Sequence, residues 1–177
     1  MNVIRLSVTF FCLVCLLFSQ PLCAEDESVE YKIKAGYLYN FTKFISWPED
    51  SYQTFNLCIL GTDPFGSLID PIEQRSVSGR PIKLVRLSNS RPFSDGALSY
   101  CHILFVGALA KNPPSFQEKT LTVGESPNFA QHGGMIGFIN RDGRIKLQIN
   151  LTAVKQSGLK VSAKLLEVAD IIDGGKQ

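Results

Sequence analysis

Apolar and polar positions recur along this chain in three rhythms, and each predicts a different element. Val29, Ile33, Tyr37, Phe41, Phe44 and Ile45 return at helical spacing, with Lys32, Lys34 and Lys43 elsewhere on the wheel. The acids and Ser28 of Glu25-Asp26-Glu27-Ser28 mark its start. Pro48 marks its stop, because the residue before a proline is pushed out of the helical region. Continuous apolar runs at 55–60 and 101–106 have the form of strands buried on both faces. Ile82, Leu84 and Leu87, with Lys83 and Arg86 between them, predict a partly exposed strand, and 121–123 a further short one. The clearest local signal is a β-hairpin: runs at 135–139 and 144–150 flank the turn Asn140-Arg141-Asp142-Gly143.

Helices fill the intervals. Asp63 as N-cap and Pro64 at the first position open one through about Glu73. Residues 88–99 are turn-rich around a weak helix, and Pro113-Pro114 opens a short helix through Lys119. Residues 151–156 form a short helix capped by Gly158, and 162–172 a terminal helix with Leu165, Leu166, Val168, Ala169 and Ile172 as its apolar members. Strands alternating with helices predict a three-layer α/β sandwich with a mainly parallel central sheet and helices on both faces. The C-terminal hairpin adds antiparallel strands. In such a sheet the first strand lies between the second and third, which brings Cys58 beside Cys101.

Composition narrows the class. Of 177 residues 45% are hydrophobic, enough for a real core, so disorder is excluded for most of the chain. A net charge of +2 without any Lys/Arg stripe excludes nucleic acid as the main partner. Residues 1–24 read as a cleavable secretory signal: Arg5, an apolar run at 6–18, then Pro21-Leu22-Cys23-Ala24. That run is shorter than the ~20 residues of a membrane span, so no direct membrane insertion is expected after cleavage. Cleavage leaves a single domain over 25–177. It also removes Cys12, Cys15 and Cys23, and the odd count of five becomes a pair, Cys58 and Cys101. Export to an oxidising compartment favours a disulfide between them; two buried free thiols are the alternative.

Sites for chemistry are sparse. The loop Gly61–Gly66 lacks the spacing of a dinucleotide or phosphate fingerprint, and Asp63 occupies the place a phosphate would take. The two histidines, His102 and His132, belong to no metal or hydrolase motif, so no metal, cofactor or catalytic residue is expected. A thiol enzyme pairing Cys101 with His132 is conceivable, as is a small-molecule binder using the cleft near Gly61 and Gly107. Asn40 and Asn150 match glycosylation acceptors by pattern alone. The feature that stands out is the aromatic first helix. Either its wide apolar face is buried on the sheet, or part of it binds a protein partner, with Tyr37, Tyr39 and Trp47 as candidates.

The stretch Tyr31-Lys32-Ile33-Lys34-Ala35-Gly36-Tyr37-Leu38-Tyr39-Asn40-Phe41, continuing to Trp47-Pro48, resembles the opening helix of the YfiR family. Leu57-Cys58-Ile59-Leu60-Gly61, Cys101-His102-Ile103-Leu104-Phe105, the block from Gly143 to Leu151 and the block from Ser157 to Leu166 match its later segments in order. The resemblance implies a periplasmic, non-enzymatic regulator. It would bind the periplasmic sensor domain of an inner-membrane diguanylate cyclase or another receptor and repress it, lowering cyclic-di-GMP and biofilm formation. The resemblance also implies a homodimer that depends on disulfides. Cys58 and Cys101 fall on one family pair, whereas a second pair found toward the C-terminal half of some members has no counterpart here.

Overall fold

The computed structural model describes residues 24–87, 98–108 and 118–173. All of the expected leader at 1–24 except Ala24, most of the weak helix expected at 88–99 and most of the helix expected at 113–119 lie outside the described residues. The chain runs α1 (Ala24–Phe44), β1 (Ile45–Ser46), β2 (Phe55–Leu60), two 3₁₀ turns (Gly66–Leu68 and Asp70–Gln74), β3 (Ser76–Val77), β4 (Arg80–Leu87) and β5 (Ile103–Val106). It continues through β6 (Leu121–Gly124), β7 (Ile136–Arg141), β8 (Arg144–Asn150), α2 (Leu151–Gln156), β9 (Lys160–Val161), α3 (Ala163–Leu166) and β10 (Asp170–Ile172).

Eight strands form one sheet in the order β10-β8-β7-β6-β5-β2-β4-β3, and β1 pairs with β9 in a separate antiparallel ribbon. The pairings from β4 through β2, β5 and β6 to β7 are parallel, so the fold is α/β with a mainly parallel sheet. As expected, β2 lies between β4 and β5. Every residue of β2, β5 and β6 is buried, which explains why these strands read as unbroken apolar runs. Phe55, Leu57, Ile59, Ile103 and Phe105 point into the larger core cluster with Leu38 and Phe41 of α1. The alternate residues Cys58, Leu60, Leu104 and Val106 join Leu98, Cys101 and Phe129 in a second cluster.

The hairpin follows its turn chemistry. Asp142 and Gly143 both take positive φ (54° and 71°), the left-handed pair that a two-residue loop requires, and Arg141 pairs with Arg144. β7 is parallel to β6 and antiparallel to β8, so the hairpin reverses the sheet's direction. Ser78 and Gly79 turn in the same way between β3 and β4.

Two helices do not form as expected. After Asp63 the chain makes two 3₁₀ turns, because Pro71 has no N–H for a continuous α-helix. Asp63 nonetheless caps, its Oδ1 accepting from the N–H groups of Phe65 and Gly66. The terminal helix is a single turn, α3, burying only Leu165, and Asp170–Ile172 becomes a strand parallel to β8. Val168, one of the apolar members expected of the helix, is 67% exposed. Pairing with β8 instead satisfies backbone groups along the sheet edge.

The structure joins Cys58 to Cys101 in a disulfide, with Cα atoms 5.8 Å apart and 43 residues between them in sequence. Replacing both with Ser should lower unfolding free energy by about 4 kcal/mol on chain-entropy grounds, read as a shift in the urea midpoint under oxidising conditions. A second test concerns Phe129, whose ring fills the space above two glycines. A Cβ at Gly124 would sit 2.4 Å, and one at Gly134 2.2 Å, from its carbons. Gly134→Ala should destabilise by roughly 1–3 kcal/mol through overpacking, measured by the same unfolding curve.

Candidate functional site

α1 has two sides. Lys34, Leu38, Phe41 and Ile45, spaced four, three and four residues apart, make the buried side. Val29 and Ile33, which periodicity placed toward the core, are 47% and 45% exposed. The side chain that takes their place is Lys34, only 3% exposed. Its Nζ donates to Glu125 Oε2 at 2.6 Å and pairs with Glu30 one turn earlier. Tyr31 donates its hydroxyl to the other oxygen of Glu125, and Lys34 lies 4.5 Å over the Tyr31 ring. Burial alone would pull the Lys34 pKa down. The hydrogen bonds to Glu125 and Glu30 outweigh it and raise the ammonium above its ordinary value. Burial, and next the charge of Glu125, raises the Tyr31 hydroxyl too. This lock sets the rotation of the helix.

Tyr37, Tyr39 and Trp47 are each half-buried and packed on the core, but they do different things. Tyr37 stacks on Phe41 and tilts against Phe138. Trp47 sets its indole edge-on to Phe55 and donates Nε1–H to the carbonyl of His102 at 2.9 Å. Tyr39 lines a groove. This shallow groove of about 190 Å³ runs between Lys32, Ala35, Gly36 and Tyr39 of α1 and Leu68 and Pro71 of the 3₁₀ turns with Arg75 just after them. Lys43 and Arg75 stand 4.6 and 5.8 Å from the Tyr39 ring centroid. Sequence reasoning named Tyr39 and missed the groove, whose signal was Lys32, Gly36, Tyr39 and Lys43 at alternating steps of four and three on one helical side.

At the carboxyl ends of the strands, Arg86 is held by Asp63, Asp70 and the carbonyl of Gly66. A Cβ on Gly107 would meet the Thr62 carbonyl at 3.1 Å, so backbone packs closely where a ligand cleft was considered. The opposite end carries His102, buried and stacked on Phe55 at 4.4 Å. Its Nδ1 accepts from the Asn56 N–H at 2.9 Å, which leaves the proton on Nε2 facing Asp50 Oδ2 at 3.0 Å. Arg80 donates to both oxygens of Asp50. Both His102 nitrogens are engaged, so the ring offers no lone pair to a substrate. Cys101 is bonded to Cys58 and His132 is exposed, so the imagined thiol pair lacks its nucleophile. Asn150 is buried as the cap of α2, with Oδ1 accepting from Ala153 N–H and Nδ2 donating to the Ala130 carbonyl. Among the described residues no group of three or more His, Cys, Asp or Glu could hold a metal ion.

Burial, aided by the charge of Arg80, pushes the His102 pKa below the ordinary histidine value, against the pull of Asp50. The unfolded chain therefore takes up a proton first as pH falls. Stability due to this group is intact above about pH 6.5 and declines below it, with a slope of at most about 1.4 kcal/mol per pH unit. Asp50 works at lower pH. Burial pushes it up, yet hydrogen bonds from Tyr52 N–H, Arg80 and His102 hold it below the usual carboxylate range. Urea midpoints should thus fall between about pH 7.5 and about pH 5.5, and His102→Gln should flatten that dependence.

Among curated proteins none matches this sequence. Among the described residues no helix is long and apolar enough to cross a membrane. The sequence model of the YfiR/HmsC-like family matches residues 31–170, from the Tyr31 that helps lock α1 to the first residue of β10. The match spans well over half of the chain, which therefore belongs to the YfiR/HmsC-like family.

Proposed function

We propose that this protein is a periplasmic, non-enzymatic regulator that binds and represses the sensor domain of an inner-membrane diguanylate cyclase, thereby limiting cyclic-di-GMP and biofilm formation. Family membership across residues 31–170 is the observation that carries this reading. Three features of the fold agree with it. The disulfide between Cys58 and Cys101 suits an oxidising compartment. The groups best suited to catalysis, His102 and Cys101, are engaged in structural bonds. The exposed side of α1 carries apolar and cationic residues around an open groove. On this reading residues 1–24 are removed on export.

Repression needs no chemistry. A regulator that binds the inactive conformer of a receptor more tightly than the active one shifts their populations by that difference in affinity alone. A shift from 99:1 active to 1:99 needs about 10⁴-fold discrimination between the two conformers.

The test is genetic and then biochemical. Cells lacking the protein should contain several-fold more cyclic-di-GMP, reversed by an exported copy. The purified chain from residue 25 should retain the periplasmic domain of an inner-membrane cyclase from envelope extract. Unchanged cyclic-di-GMP together with no retained inner-membrane receptor would overturn the proposal.

A further inference from the structure

We infer that the groove between α1 and the 3₁₀ turns receives an acidic peptide segment of a protein partner, one apolar side chain of which seats over Gly36 while neighbouring carboxylates meet Lys32, Lys43 and Arg75. The inference rests on the proposed function, since it names where and by what chemistry docking occurs.

The first argument is charge. On α1 and β4, Lys34 is matched by Glu30 and Glu125, Arg80 by Asp50, and Arg86 by Asp63 and Asp70, while Lys83 forms no ion pair among the described residues. Lys32, Lys43 and Arg75 form no ion pair among the described residues, and no carboxylate lines the groove. The acids nearest in sequence are turned away. Asp70 holds Arg86, and Glu73 Oε1 accepts from the Leu84 N–H. The groove is therefore a local excess of positive charge on an apolar floor, complementary to an acidic ligand with an apolar body.

Size selects the kind of ligand. Pockets that enclose drug-sized molecules measure roughly 300–1,000 Å³. This one is about 190 Å³ and open along one side, room for a single large side chain with its backbone left outside. Gly36 makes that room, as a Cβ there would have nothing within 4 Å. Val29 and Ile33, exposed farther up α1, continue the apolar surface beyond the groove, as an extended segment needs and a compact metabolite does not.

The test uses the oxidised chain from residue 25 with fluorescent pentapeptides, Asp-Glu-Phe-Glu-Asp against Lys-Lys-Phe-Lys-Lys, read by polarisation. The acidic peptide should bind, more weakly as salt rises, and the basic one should not. Gly36→Leu fills the groove without touching the core, and Lys32→Glu with Arg75→Glu reverses its rim. Each should weaken binding at least about tenfold, and each should lose repression in cells, whereas Lys146→Glu on β8 should keep both. No binding of the acidic peptide, or equal binding by all variants, overturns the inference. So does binding only to anionic phosphatidylglycerol vesicles, or a self-association that the groove variants abolish. If the groove variants repress like wild type in cells where deletion raises cyclic-di-GMP, the groove assignment fails while the proposed function stands. If deletion changes nothing, the proposed function fails and the peptide measurement still decides the groove.

Discussion

The join between β2 and β5 is where the fold is most firmly tied. Before their register begins at Leu57 and Ile103, His102 and Asn56 are already laced together. The His102 N–H donates to the Asn56 carbonyl at 2.8 Å, and the His102 ring accepts from the Asn56 N–H. The disulfide from Cys58 to Cys101 spans the same pair on one face, and the Trp47 indole reaches the His102 carbonyl. Backbone, side chain and sulfur thus converge on a stretch of three residues in each segment. Parallel pairing brings together strands distant in sequence and needs loop closure before contacts reward it. A covalent bond and a buried polar lace at that seam offset much of the cost. Both apolar clusters then grow from β2, since its side chains alternate between them.

The same junction explains where chemistry is absent. An Asp–His pair beside an arginine has the outline of a catalytic arrangement, but this one lies at the amino ends of parallel strands, away from the end where such sheets bind ligands. Its proton is committed to Asp50 and its lone pair to a backbone N–H. At the usual ligand end Asp63 and Asp70 both bind Arg86. On α1, Lys32 and Lys43 stay without an ion pair among the described residues. Lys34 goes inward to its carboxylates, which fixes the rotation of the helix and turns Lys32, Gly36, Tyr39 and Lys43 outward together. The exposed side is thus a consequence of a buried ion pair.

How far the sequence foretold this depends on whether the signal was local. Asp142-Gly143 dictates its own turn, and unbroken apolar runs announce strands buried twice over, so the hairpin and the order of β4, β2 and β5 were legible. The terminal segment was not. Leu165, Leu166, Val168 and Ala169 satisfy a helical spacing, yet Asp170–Ile172 is drawn to the free edge of β8, a tertiary demand that no local pattern displays. The first helix was legible as a helix but not in its rotation. Val29 and Ile33 outweigh Lys34 in any hydrophobic count, and the buried lysine depends on the distant Glu125 as well as on the nearby Glu30. Cysteine parity in the expected mature chain, together with the expected strand order, pointed to Cys58 and Cys101. Of the three aromatic candidates, two turned out to have structural duties that depend on residues far away, Phe138 for Tyr37 and the His102 carbonyl for Trp47.

Binding surfaces lose affinity when they must be ordered on contact. α1 is secured along its length before any partner arrives. Near its start Lys34 and Tyr31 are tied to Glu125, and its middle packs Leu38 and Phe41 into the larger core. At its end the chain passes directly into β1, where Ile45 pairs with Val161 and the Phe44 carbonyl accepts from the Ser162 N–H. The groove's other wall is anchored independently, since Ile69 and Ile72 are buried and Arg75 is bonded into the strand edge through the Ile82 N–H. Neither wall has to form when a ligand enters, so little ordering entropy is lost there and small differences between a partner's conformers are transmitted as differences in affinity. A repressor that works by discrimination alone gains most from such a surface, because rigidity converts a mismatch in the wrong conformer into lost contacts instead of accommodation.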